Sequence, residues 1–258
     1  MDVFHLAIIF CAGAIAGLMN AIAGGGTIIT FPALILAGIT PLAANATSTV
    51  ALLPSALGYT FAYRRNIGAV WRWIKMFAVV SLIGGLIGGI LLVHTPPALF
   101  DWLVPFLILL ATVLFTAHSF FSKLFRLEVR HHKEHHVSWL IGAVSFQFVV
   151  SIYGGYFGAG IGILMLATLG MLGVGDIHEM NTVKGVLGFL INIVAAIYFM
   201  KSGFVHWAAA GVMALGSVTG GYSGARFAQR IPQKTVRRLI TAIGVGLTLY
   251  MFIKQLAR

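Results

Sequence analysis

Charge is what this chain has least of. Aspartate and glutamate together number six, and charged residues fill 9% of its 258 positions against 59% for hydrophobic ones. A water-soluble domain places charge at roughly a quarter of its positions to cover its surface, so this shortage excludes one. A single cysteine, Cys11, rules out an internal disulfide and leaves the redox compartment unread. The carboxylates (Asp2, Asp101, Glu128, Glu134, Asp176 and Glu179) fall in predicted loops or at segment ends, so no buried carboxylate relay is visible. Enzyme signatures are missing as well: there is no H-E-x-x-H, no G-x-S-x-G and no P-loop lysine motif. The chain therefore does not read as an enzyme, and the sequence implies neither a cofactor nor a metal.

What is present is long apolar sequence. Segments at 3–23, 27–38, 42–63, 76–93, 98–121, 138–157, 161–174, 179–200, 207–226 and 239–253 predict an all-α polytopic membrane protein, with the lipid bilayer as its solvent. The net charge of +11 is not a nucleic-acid patch, because the basic residues are scattered through short loops, where they hold a loop on the cytoplasmic side. Residues 6–18 and the small-residue stretch Ala21-Ile22-Ala23 have the outline of a signal peptide. No Lys or Arg precedes them, so the segment is expected to remain in the mature protein.

The segments at 27–38 and 161–174 are too short to cross a hydrocarbon core of about 30 Å comfortably. Each follows a glycine cluster, Gly24-Gly25-Gly26 in one case and Gly158-Ala159-Gly160-Ile161-Gly162 in the other. The clusters lie 134 residues apart, while Asn45, Trp71 and Gly84-Gly85 recur 136 residues later as Asn181, Trp207 and Gly220-Gly221. A duplication follows: a first repeat over 1–121, a polar linker over 122–137, and a second repeat over 138–258. The loop at 64–75 carries Arg64, Arg65, Arg72 and Lys75, but its counterpart at 201–206 carries only Lys201. One loop later the bias reverses, since 94–101 has no Lys or Arg and 226–238 has five. Equivalent loops then face opposite sides, which predicts two inverted repeats of about five helical segments each. The linker would be cytoplasmic and both termini outside. Lys254 and Arg258 at the outer end, and the lack of positive charge at 174–179, depart from this pattern.

Glycine-broken hairpins meeting near the midplane would present backbone N–H groups and the positive ends of helix dipoles, an arrangement suited to an anion. Tight helix packing is the other use of such glycines, and it is the reading taken for Gly84, Gly85, Gly88, Gly89, Gly220, Gly221 and Gly224. Lys184 follows Asn181 and Thr182 early in an apolar run. Deep in the membrane it would face a cavity; near the helix end it would snorkel to the interface. The equivalent stretch of the first repeat, Asn45-Ala46-Thr47-Ser48-Thr49, offers amide and hydroxyl groups without charge. Asn20 and Gln147 are expected to bond between helices. His131, His132, His135 and His136 have metal-ligand spacing, but a solvated linker is the preferred reading.

Asn20 to Thr27, leading to Pro32, and then Ala43-Ala44-Asn45-Ala46-Thr47-Ser48 resemble the TauE/SafE sulfite exporter family. That family has a glycine-rich segment running to a proline, then a short turn and an A-x-x-T-S-like element. The resemblance extends to length, to the duplication and to the second glycine cluster, and it covers nearly the whole chain. It implies a multi-pass protein of the bacterial inner membrane that transports sulfur-containing anions such as sulfite or sulfoacetate. Asn181-Thr182-Val183-Lys184 departs from the pattern by lacking the T-S pair, and Lys184 would supply charge in place of the second hydroxyl.

The expected substrate-binding residues are thus Gly24, Gly25, Gly26, Thr27, Asn45, Thr47, Ser48, Gly158, Gly160, Gly162, Asn181, Thr182 and Lys184. The expected function is a secondary exporter of a small anion, built within one chain and requiring no oligomeric partner. Its rivals are an importer or exchanger of another anion, such as a carboxylate, and a membrane enzyme or signalling scaffold acting through the histidine loop. Anion binding that survives deletion of 130–136 would count against the last.

Overall fold

In a bilayer the backbone has no water to bond to, so apolar runs close their hydrogen bonds internally as helices. The computed structural model describes residues 2–22, 25–62, 67–128, 137–172, 174, 176–227, 241–242, 244–246 and 248–253. Its helices are α1 (Val3–Ile22), α2 (Thr27–Leu36), α3 (Pro41–Ala62), α4 (Ile67–His94), α5 (Pro97–Glu128), α6 (Val137–Tyr156), α7 (Ile161–Met171), α8 (Ile177–Ser202) and α9 (Trp207–Phe227). The described residues from 241 to 253 are helical too. Among the described residues there is no strand, and five helices (α1, α4, α5, α6 and α8) contain stretches long and apolar enough to cross a membrane. The protein is an all-α, multi-pass membrane protein. Helices α2 and α7, of 10 and 11 residues, reach only half way across, since each rises about 15 Å.

Two helices run past the expected segment ends. Arg72 and Lys75 lie on exposed turns of α4 rather than in a loop. The Arg72 guanidinium sits 5.6 Å from the ring of Trp73, and the Lys75 ammonium 5.3 Å from that of Trp71. Aromatic and basic side chains of this kind let a helix continue through the headgroup layer. Helix α5 likewise extends to Glu128 through the first part of the expected linker. The histidines at 131–136 lie outside the described residues.

The helices pack across the middle of the chain. α1 lies mainly against α9, and α4 mainly against α6 and α8; α3 touches α9 as well, and meets α8. Two packing units result, one of α1, α2, α3 and α9, the other of α4, α6, α7 and α8. Each takes one of its three long helices from the other half of the sequence.

Glycines set the closest approaches. A Cβ built on Gly13 or Gly17 of α1 would collide with the carbonyl oxygens of Met213 or Ser217 on α9, and one on Gly216 or Gly220 with those of Phe10 or Ala14. Across α4 and α6, Gly88 abuts the Ile152 carbonyl and Gly155 the Gly85 carbonyl. Small residues four apart let two backbones touch in lipid, where burial of side chains against each other gives no hydrophobic gain. Gln147 reaches Ser81 on α4 and Ser151 on its own helix, each at 3.3 Å, so it does bond between helices. Pro54 removes one donor from α3, and nearby Ser217 and Ser55 donate to the carbonyls of Ala51 and Leu52 at 3.0 and 2.8 Å.

Replacing Gly220 with leucine should lower stability by about 3 kcal/mol, the upper range for overpacking a filled contact. Gly211→Leu, where a Cβ meets nothing within 4 Å, should stay within about 0.5 kcal/mol. Thermal melting of the detergent-solubilised protein checks the pair; equal losses would contradict the glycine seam.

Candidate functional site

Each short helix begins inside the bundle, where its first N–H groups need partners. Ahead of α2, Gly25 adopts φ +89°, and the Gly26 N–H donates to Oδ1 of Asn20 on α1 at 2.8 Å. Ahead of α7, Gly158 and Gly160 adopt φ +76° and +82°, conformations that side chains oppose. The Tyr153 hydroxyl donates to the Ala159 carbonyl at 2.8 Å and ties this turn to α6. Gly24 lies outside the described residues.

The two helix starts open on one cavity of about 110 Å³. It holds several waters or one small ion, since a single water needs only about 10–15 Å³ of such volume. Gly25 and Thr27 line it from the first start, and Gly158, Ile161 and Gly162 from the second. α3 contributes Thr49, Leu52, Leu53 and Ala56; the residues 136 positions later on α8, namely Gly185, Gly188, Phe189 and Asn192, line it too. Asn20, Met165 and Lys184 complete the wall.

Lys184 is 6% exposed, lies on the second turn of α8 and donates to Oδ1 of Asn181 at 2.8 Å. Its side chain therefore borders the cavity instead of snorkelling outward. No carboxylate lines the cavity among the described residues, so this ammonium sets the sign of the local field.

The other expected residues divide. Ser48 shares a hydrogen bond with Thr30 of α2 at 2.5 Å, and Thr30 also donates to the Gly26 carbonyl at 3.2 Å. Thr47 accepts from the His206 N–H at 2.9 Å, just before α9. Asn45 donates to the Tyr156 carbonyl at 2.8 Å, and its buried Oδ1 has no hydrogen-bond partner among the described residues. Thr182 bonds back to the His178 carbonyl at 2.8 Å. Gly26 packs against Ala16, and Gly160 faces Ala111 and Leu114 of α5. Ser48 and Asn45 brace the turns ahead of α2 and α7, Thr47 and Thr182 are held elsewhere, and none of these residues lines the cavity.

Sequence reasoning missed Gly188 and Asn192. The signal was the line of positions 184, 188 and 192, spaced i, i+4 and i+8 on one face of α8. Asn20 was expected to bond another helix; it caps α2 and also lines the cavity.

Membrane-length helices around a polar, cation-bearing cavity at the starts of two half-length helices define a multi-pass transporter. Residues 9–251 match the model of the "Sulfite exporter TauE/SafE" family, and the chain belongs to it. It is a membrane transporter of the TauE/SafE type. It is 28% identical to a "Probable membrane transporter protein" of Haemophilus influenzae over 97% of this chain and 95% of that one. Identity to the Sinorhizobium "Probable membrane transporter protein ORF9" is also 28%, covering 95% and 92%. With Escherichia coli "Probable membrane transporter protein YfcA" it is 24%, covering 92% and 86%. No solved structure matches the chain.

Because a Cβ on Gly188 meets nothing within 4 Å, Gly188→Leu should fill the cavity without disturbing packing. Its melting temperature should match wild type within about 0.5 kcal/mol of stability, while transport in vesicles falls to background. Undiminished transport would place the pathway elsewhere.

Proposed function

We propose that the protein is a secondary transporter that exports a small sulfur-containing anion, sulfite or an organosulfonate such as sulfoacetate, across the bacterial inner membrane. The observation that carries this reading is Lys184, a buried cation bordering a cavity into which two helix starts point and which no described carboxylate lines. A cavity of this sign holds an anion through the ammonium, the backbone N–H groups near Gly25 and Gly158, and the positive ends of α2 and α7.

The chain is then two inverted repeats, 1–121 and 138–258, joined by 122–137. Support comes from the cavity itself, where Thr49, Leu52, Leu53 and Ala56 pair with residues 136 positions on. The exchanged packing of α1 on α9 and α4 on α6 is what such a duplication would give. Alternating access would be a movement of the two packing units about the α3–α8 contact, where the cavity lies.

Direct binding of sulfite, sulfoacetate, taurine, sulfate and acetate to purified wild type and Lys184→Ala tests the reading. A sulfonate or sulfite should bind selectively, and the variant should lose about 1.5–3 kcal/mol, roughly ten- to hundredfold in affinity. Preference for acetate would favour a carboxylate transporter. Binding that is indifferent to the variant would remove Lys184 from the site.

A further inference from the structure

Asn20 and Asn192 both line the cavity, and in each the backbone decides which end of the amide faces a ligand. An amide has a carbonyl that only accepts and an NH2 that only donates. The Gly26 N–H takes the carbonyl of Asn20, so the NH2 of Asn20 remains. Nδ2 of Asn192 donates to the Gly188 carbonyl at 2.7 Å, so the carbonyl of Asn192 remains. Neither amide can turn round without losing its bond, because a backbone N–H cannot accept and a backbone carbonyl cannot donate. Oδ1 of Asn192 has no partner among the described residues and is not sealed in the interior. The cavity therefore carries a bare acceptor as well as a cation.

Lys184 and Asn192 stand eight residues apart on α8, with Gly188 and its open space between them. Both side chains lean toward the start of the helix, Lys184 to Asn181 and Asn192 to Gly188. Their heads stay about as far apart as their Cα atoms, roughly 12 Å at 1.5 Å per residue. Two hydrogen bonds of about 2.8 Å leave about 6 Å to bridge, the extended oxygen-to-oxygen span of about five bonds, as in a three-carbon hydroxysulfonate or a four-carbon hydroxycarboxylate. An ammonium at the Asn192 end would be desolvated with no carboxylate beside it, whereas a hydroxyl needs only the acceptor. At the equivalent places on α3 stand Ser48, held by Thr30, and Ala56, so the first half offers no second axis of this kind.

We infer that Asn192 reads a hydroxyl on the far end of the transported anion, whose charged end lies toward Lys184. The substrate class is a short-chain hydroxylated sulfonate or carboxylate. This rests on the anion-transporter reading above and narrows it: a compact anion such as sulfite reaches Lys184 but not Asn192.

The test is calorimetric titration of the purified full-length protein with 3-hydroxypropanesulfonate against propanesulfonate, and 4-hydroxybutyrate against butyrate. Wild type should favour the hydroxylated member of at least one pair by about tenfold or more, since a site built for a hydroxyl rejects its deoxy analogue. Asn192→Leu should level that ratio and keep the affinity for the deoxy member, which also shows that the variant is folded. If the leucine variant does not fold, Asn192→Ala makes the same comparison. Equal binding within both pairs by wild type, or a preference that survives the variant, overturns the inference and leaves the anion transporter standing. If neither these anions nor sulfite bind, both readings fall.

Discussion

Lipid offers a protein no hydrogen bonds, and a backbone group left unmatched in the hydrocarbon costs several kcal/mol. A helix that starts inside a membrane bundle therefore needs a neighbour that supplies what water would have supplied. Here α1 supplies Asn20 to the Gly26 N–H, and Ser48 and Thr30 bind α3 to α2. Beside α7 the need met is the opposite one, the Tyr153 hydroxyl donating to the Ala159 carbonyl. Once those needs are met, the polar atoms left over are few and fixed in direction, and the cavity is made of them. Its chemistry follows from the closure of the two helix starts.

The same logic separates residues that hold the fold from residues that face the cavity, even where they are adjacent in sequence. Thr47 and Ser48 point into protein contacts, while Thr49, the next residue, borders the cavity. Such alternation gives α3 two polar edges, one bound to α2 and α9 and the other open. On α8 the open edge carries Lys184, Gly188 and Asn192. The two long helices that meet across the cavity are thus chemically unlike, one neutral and one cationic, although their lining positions correspond.

Much of the architecture was legible in the sequence. Segment boundaries at 3–23, 27–38 and 42–63 fall within a few residues of α1, α2 and α3, because apolar length is what lipid selects. The glycine clusters marked the short helices, and the glycine pairs marked the seams. Less legible was which polar residue faces inward. Thr47 and Ser48 attracted attention as hydroxyls, but their donors and acceptors are matched by residues distant in sequence, His206 and Thr30, which no local pattern reveals. Gly188 and Asn192 sit in an apolar run where the faces toward lipid, protein and cavity have nearly the same composition. Arg72 and Lys75 look like loop residues until the tryptophans beside them show how a helix continues through the interface.

The exchange of α4 and α9 between the packing units also bears on how the chain is made. The glycine face of α1, with Gly13 and Gly17, has its partner on α9, which begins at Trp207. At a synthesis rate of 5–20 residues per second, α1 waits roughly 10–40 s in the bilayer before that partner emerges. During that interval its grooved face is filled only by lipid tails, because α2 and α3, the members of its unit already made, pack elsewhere on it. Insertion and assembly are separated in time for this chain, so a ribosome that stalls before α9 leaves behind a membrane-embedded intermediate whose most intimate contact has not yet been synthesised.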